Sequence, residues 1–179
     1  ILDVGCGING RSVHDWLPSD VQITGIDVIE PSDVAISHSN FTYIKQDARD
    51  MQSFEDDEFD LVISVGMMEH ICHMPDIQKM AQEIHRVGRQ YLILVPWRYT
   101  LIEPHFKWPV FQFMPTEVQN RLVRSMNLHN LKEKVERDPL YLRKNYMWLT
   151  DEQWMHIWPE SKVHVFNLET CVITKTAKA

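Results

Sequence analysis

Acidic side chains recur in this sequence where an apolar run ends, and their spacing has a chemical sense. Asp3 stands two residues ahead of Gly5, in a loop that also holds Gly7 and Gly10. Glycines at that spacing let the backbone turn tightly and let a ligand approach without obstruction by Cβ atoms. A carboxylate beside such a loop would face a pyrophosphate with like charge, whereas a cationic ligand needs it. Asp27 closes a second apolar run, where a carboxylate can accept from two neighbouring hydroxyls. Asp47, in Tyr43-Ile-Lys-Gln-Asp-Ala48, follows a third and can accept from an exocyclic amine. After a fourth run, Ser64 and Val65 lead through Gly66 and two methionines into Glu69 and His70. Histidine exchanges protons near neutral pH.

Positioning these groups together takes a layered scaffold. Residues 1–4, 21–28, 41–45, 59–65 and 91–95 read as short apolar strands. A helix is predicted from Arg11 to Leu17, a brief one within 29–40, and a longer one after Pro75, with Asp76 at its positive end. Ile77, Met80, Ile84 and Val87 recur there at helical spacing, and Gly88 is expected to stop that helix at its C′ position. Strands alternating with helices in this rhythm predict a parallel sheet covered on both faces, with ligands at the carboxyl ends of the strands. The pattern breaks after Pro96. Residues 97–149 are predicted to hold no strand and to fold as a helical insertion with nine of the eighteen aromatics. A helix is expected over 116–126, with Val118, Leu122 and Met126 on one face, and another over about 130–137. Thr150 is expected to cap a short helix ending at Ile157. Residues 162–166 and 171–175 alternate as a terminal hairpin, which makes at least one strand antiparallel.

Composition narrows the function. The 179 residues suit one domain, 1–179, and carry a net charge of −7, which speaks against a nucleic-acid partner. No apolar run reaches the length of a membrane span. Three widely spaced cysteines fit neither a disulfide framework nor a CxxC metal site, so a reducing, cytoplasmic setting is expected. The chain opens on Ile1, already strand-like, and a longer protein with a preceding lid helix is expected. Read alone, Gly5-x-Gly7-x-x-Gly10 also matches the dinucleotide loop of an NAD-binding oxidoreductase. Asp3, Asp47 and the hairpin argue against that reading. A binding protein that keeps the fold without turnover is a third.

Four ordered motifs resemble the class I S-adenosylmethionine-dependent methyltransferases, in particular the small-molecule branch called methyltransferase type 11. They are Leu2-Asp-Val-Gly-Cys-Gly7, Ile23-Thr-Gly-Ile-Asp27, Gln46-Asp-Ala48, and residues 54–64 running into Met68-Glu-His70. The resemblance implies a Rossmann-like α/β fold with seven strands in the order 3-2-1-4-5-7-6, strand 7 antiparallel. It implies S-adenosyl-L-methionine as cofactor, with Asp3, Gly5 and Gly7 at its methionine end and Asp27 and Val28 at the ribose. It further implies Asp47 and Ala48 at the adenine, and Ser64 and Val65 along the methionine side. In that frame His70 is the candidate base, with Glu69 beside it.

The acceptor implied is a small molecule or a glycan-type compound, methylated at oxygen. Trp97, Arg98 and Tyr99 directly follow the fifth strand and are the expected acceptor contacts, together with His105. The run Ile102-Glu-Pro-His-Phe106 also resembles a segment of type 11 relatives, some of them close to glycan or lipid biosynthesis. Glu69, His70, His73 and His105 could by number supply a metal site. No tight ligand motif such as HExxH supports one, so no metal is expected.

Overall fold

The computed structural model describes residues 1–8, 17–35, 39–167 and 170–175. Its main sheet has seven strands in the order β3-β2-β1-β4-β5-β9-β8. The strands are β1 (Leu2–Val4), β2 (Ile23–Asp27), β3 (Phe41–Lys45), β4 (Val62–Val65) and β5 (Tyr91–Pro96), all parallel, then β8 (Ser161–Phe166) and β9 (Thr170–Lys175). β9 runs antiparallel to both β5 and β8. The two strands between β5 and β8 in the chain, β6 (Ile102–Glu103) and β7 (Trp108–Pro109), form a separate small hairpin. With that hairpin set aside, the strand order is the expected one.

The strands are apolar because helices cover them. Leu2, Val4, Val62 and Ile93 are essentially inaccessible, and α1 (Met74–Val87) lays Ile77, Met80, Ala81, Ile84 and Val87 against the sheet. Pro75 and Asp76 sit in the first turn of α1, as its start signals require. Gly88 ends the helix for a different reason from the one expected. Its φ of −109° is open to any residue, but a Cβ there would lie 2.5 Å from Val62 Cγ2. The glycine is needed for close approach of helix end and strand, not for a left-handed cap. α5 (Asp151–Ile157) starts in a capping box: Thr150 accepts from the Gln153 N–H while Gln153 accepts from the Thr150 N–H. It buries Trp154, and Trp158 beyond it, in the same core.

Residues 97–149 form a cap with a core of their own: Phe106, Phe111, Val123, Leu131, Val135, Leu142 and Tyr146. Three helices carry it, α2 (Thr116–Met126), α3 (Lys132–Arg137) and α4 (Tyr141–Asn145). The cap corrects three expectations. It contains the β6–β7 hairpin, where no strand was predicted. The second helix begins at Lys132, because His129 and Asn130 take left-handed conformations. The buried face of α2 is Gln119, Asn120 and Val123, whereas Val118 and Met126 are exposed. The reason is polar: Gln119 donates to the Phe111 carbonyl and Asn120 to that of Pro139, each at 2.8 Å.

Strand ends are trimmed relative to the apolar runs, and the segment 29–40 holds a single 3-10 turn, Pro31–Asp33, in its described part. The helix predicted from Arg11 and the third loop glycine, Gly10, lie outside the described residues. Among the described residues, no helix is long and apolar enough to cross a membrane.

Candidate functional site

The turn after β1 is built from its glycines. Gly5 has φ +76°, and a Cβ there would lie 2.6 Å from Met67 Cγ, so the loop beyond β4 closes directly onto it. Gly7 follows at φ +65°, and its N–H donates to Asp27 Oδ2 at 3.0 Å. The Val28 N–H donates to Asp27 Oδ1 at 2.7 Å. Two adjacent parallel strands thus fix the Asp27 carboxylate, each of its oxygens accepting one backbone N–H among the described residues. Beside it opens a cavity of about 220 Å³ lined by Gly5, Asp27, Val28, Asp47, Ala48 and Ile71, among others.

Asp3 lies deeper, 1% exposed in β1, and does not line that cavity. Its charge is nevertheless felt in the turn. The neighbouring Cys6 thiol is pushed up to about 12, by burial first and then by the charges of Asp3 and Asp27. Two carboxylates, Asp3 and Asp27, thus flank the turn that ends β1. Ser64 is equally buried, with its hydroxyl lacking a hydrogen-bond partner among the described residues, and Val65 is half-buried beside it in β4.

Asp47 reaches the cavity, but its carboxylate is already engaged. Arg49 donates to it from Nε and Nη2, at 3.0 and 2.6 Å, and from its backbone N–H at 2.9 Å. These bonds hold the Asp47 carboxyl below its ordinary value. Arg49 also reaches Asp76 at the start of α1, 3.0 Å away. The sequence reading missed Arg49. Its signal was the Asp-x-Arg spacing, which suits a carboxylate that folds back on the amide two residues ahead.

A second cluster lies where the cap meets the end of β4. Met68–His70 form a 3-10 turn, and the Met147 N–H donates to the Glu69 carbonyl at 2.8 Å. His70 Nδ1 lies 2.8 Å from the Asn145 carbonyl, which can only accept, so Nδ1 carries the proton. Glu69 is 3% exposed, and its Oε1 lies 3.6 Å from His105 Nε2. Glu103, fully buried, accepts from His105 Nδ1 at 2.8 Å, from the Phe106 N–H at 2.8 Å and from Trp148 Nε1 at 3.1 Å. Burial alone would lower the His105 value, but its bonds to Glu103 and Glu69 outweigh it and raise it to about 9. Burial would likewise raise the Glu103 carboxyl, and the same partners hold it low. The pair is ionic at neutral pH. His73 stays apart, exposed, 3.3 Å from Asp76.

Of the expected acceptor contacts, Trp97 is tied to the start of α5, and Arg98 and Tyr99 into the cap. Trp97 Nε1 donates to Asp151 at 3.2 Å, and Arg98 donates to the Trp148 carbonyl and lies over the Phe113 ring. Tyr99 stacks on Phe113 and is half exposed. None of the three lines the cavity at Asp27.

The arrangement suits a ligand that joins a cation, a diol and a flat ring. Comparison with known proteins agrees. A family model described as a methyltransferase domain (Methyltransf_11) matches residues 2–94. The chain is 36% identical over 97 residues to ajmaline N-methyltransferase of Rauvolfia serpentina, covering 49% of this chain and 32% of that one. It is 37% identical over 110 residues to the chloroplastic tocopherol O-methyltransferase of Arabidopsis thaliana, covering 54% and 30%. The chain thus spans about a third of the length of these relatives. In structure it resembles a methyltransferase from Methanosarcina mazei, with a TM-score of 0.59, 12% identity, and coverage of 99% of this chain and 92% of that one. A methyltransferase from Archaeoglobus fulgidus gives a TM-score of 0.59 at 15% identity, with coverage of 93% and 63%. The motifs, the strand order and the family match converge, and the chain belongs to the type 11 family of class I S-adenosylmethionine-dependent methyltransferases.

Proposed function

We propose that this protein transfers a methyl group from S-adenosylmethionine to a hydroxyl oxygen of a small-molecule or glycan-type acceptor. The observation that carries the reading is the cavity at the ends of β1–β3, where Asp27 is held by the Gly7 and Val28 amides. The cofactor supplies an activated methyl on a positively charged sulfur.

The chain's residues bind, orient and exclude water. Asp27 accepts from the ribose diol, with Val28 against the sugar. Asp3 and the amides around Gly5 and Gly7 hold the amino-acid end, alongside Ser64 and Val65. Asp47 and Ala48 border the adenine. Because Arg49 occupies the Asp47 carboxylate, that contact comes from an oxygen shared with the guanidinium or from the backbone of Ala48. Holding the acceptor in line with the methyl supplies most of the acceleration, ~7–11 kcal/mol. His70 Nε2, left unprotonated by the Nδ1–H bond to Asn145, takes the hydroxyl proton, with the Glu69 carboxylate 4.0 Å away to stabilise the resulting charge. Trp97, Arg98 and Tyr99 shape the acceptor side from the cap. Unpaired thiols at Cys6 and Cys72 support a cytoplasmic setting.

Calorimetry on the full-length protein with S-adenosylmethionine and S-adenosylhomocysteine tests the reading. Micromolar binding is expected, weakened about 100-fold or more by Asp27→Ala, the loss of a doubly used charged acceptor. Absence of binding, or preferential binding of a nicotinamide dinucleotide, overturns it.

A further inference from the structure

We infer that Glu69, His70 and His105 form a binding site for one divalent transition-metal ion of the zinc or iron(II) kind. The three ligand atoms gather from distant parts of the sequence, the turn after β4 and the loop after β6, and lie within 4.8 Å of one another. Glu69 Oε1 stands between the rings, 4.0 Å from His70 Nε2 and 3.6 Å from His105 Nε2. In a tetrahedral zinc site with bonds of about 2.0–2.1 Å, ligand atoms stand about 3.3 Å apart. Closing to that spacing takes side-chain shifts of under about 1 Å per residue, given the separations above.

What marks this cluster as a site is the orientation of both rings. The Nδ1 of His70 is bound to the Asn145 carbonyl and that of His105 to the Glu103 carboxylate, each at 2.8 Å. Each ring therefore has its δ nitrogen committed to an acceptor and turns Nε2 toward the same carboxylate; the ion takes the place of the proton that His105 Nε2 carries at neutral pH, which passes to solvent. Metal-binding histidines are fixed in this way, one nitrogen to an acceptor and the other to the ion. Glu103 is held rigid by the Phe106 N–H and Trp148 Nε1, so the His105 ring is anchored from behind. Glu69 supplies an independent sign: its Oε2 is buried without a hydrogen-bond partner among the described residues, which a cation would remedy. Two imidazoles and one carboxylate favour a borderline ion over magnesium or calcium, which prefer oxygen. Three protein ligands leave at least one position open. The structure thus brings together three of the four residues that the sequence reading had set aside for want of a motif, and leaves out His73.

The inference also deepens the proposed reaction, and in that part rests on it. Met67 and Ile71, on either side of Glu69 and His70 in the chain, line the cavity at Asp27. An acceptor hydroxyl bound at the open position would lose its proton to solvent more readily under the ion's charge. The ion and the proton-acceptor role of His70 are alternatives, because both use the Nε2 lone pair.

The test uses the full-length protein freed of metal with EDTA and titrated with Zn²⁺, Co²⁺ and Mg²⁺ separately. One Zn²⁺ per chain is expected, with Co²⁺ giving the visible absorption of a four- or five-coordinate site and Mg²⁺ not binding. Glu69→Gln and His70→Gln each weaken Zn²⁺ binding at least 100-fold, whereas His73→Gln leaves it unchanged. His70 is partly exposed, so its variant keeps the test valid should Glu69→Gln unfold. No stoichiometric Zn²⁺ binding by the native chain, or unchanged affinity in a folded His70→Gln, overturns the inference. S-adenosylhomocysteine titrated into the same samples separates the two readings: cofactor binding without metal refutes the metal site alone, and metal binding without cofactor refutes the methyl-transfer reading alone.

Discussion

In the sheet, buried side chains are almost wholly apolar, and ion pairs lie at the rim. Arg86, 29% exposed, ties Glu83 and Asp56 together with the Met51 and Phe54 carbonyls along the outer side of α1. The buried polar exceptions in the strands, Asp3 and Ser64, stand in β1 and β4, beside the turns that form the site. In the cap, buried polar side chains share the interior with the apolar cluster. Glu103, Gln112, Gln119 and Asn120 are all buried and bond to neighbouring chain. The cap also holds five of the seven non-glycine residues with positive φ among the described residues: Lys107, Val110, Asn127, His129 and Asn130. Such a backbone carries strain of about 1–3 kcal/mol per residue at β-branched positions such as Val110. One region is held by area and period, the other by a smaller apolar core together with individual polar bonds. The cap is therefore the more fragile of the two to single polar changes, and it is the one that delivers His105 to Glu69.

The sharpest way to break this contrast is Glu103→Ala. It leaves the His105 charge buried against Glu69 alone and orphans the Phe106 N–H and Trp148 Nε1. A loss of about 3–5 kcal/mol in urea unfolding is expected; a loss under about 1 kcal/mol would show that the cap does not depend on its buried ion pair. Next come paired truncations, Ile84→Ala on the face of α1 that packs against the sheet and Leu142→Ala in the cap, both side chains fully buried. Each should remove ~3 kcal/mol. They differ in where protection against hydrogen exchange is lost: Leu142→Ala should speed exchange in α2 and α3 while β1, β4 and β5 hold, whereas Ile84→Ala speeds exchange in the strands. Uniform loss in both variants would mean that the two cores are a single cooperative unit. Smaller again is Gly88→Ala, at ~1–3 kcal/mol, since the new methyl must push Val62 Cγ2 from 2.5 Å. Val62→Ala in the same chain should recover part of that loss, a coupling expected only if close approach is the reason for the glycine.

The contrast also explains what could be read from the sequence. The sheet obeys repeating patterns. Ile77, Met80, Ile84 and Val87 mark a helix face, and short runs of valine, isoleucine and leucine mark buried strands, whereas the strand order was implied only by the resemblance of four motifs to the methyltransferases. Asp27 at a strand end was legible from the apolar run it closes. The cap has no such period. The buried face of α2 is two amides and a valine, which no hydropathy pattern reveals, and β6 and β7 are two residues each, too short to alternate. In the site, Glu69, His70 and His105 were each singled out, but their convergence was not, because it depends on where the cap docks. That docking is set by the Asn145 and Met147 backbone meeting the turn at Glu69 and His70. Arg49 went unread because the Asp-x-Arg spacing marks the backbone turn at Asp47 but not that the guanidinium closes on the same carboxylate.

The smallest expected effect probes the rim itself. Glu83 accepts from Arg86 and from the Met51 N–H at 2.7 Å, and these bonds, the Arg86 one foremost, hold its carboxyl below the ordinary 4.5. The ionised form therefore favours the fold. Its contribution is complete above pH 4.5 and disappears as the pH falls through the lower folded value. Glu83→Gln should cost about 1 kcal/mol at pH 7 and flatten the decline in stability on acidification below pH 4.5, measured by urea unfolding at a series of pH values. Raising the salt should shrink the native–variant difference at pH 7, because these groups are open to counter-ions, whereas the difference for Glu103→Ala should persist. Equal salt sensitivity in the two variants would erase the distinction between a rim that solvent screens and a cap interior that it does not reach.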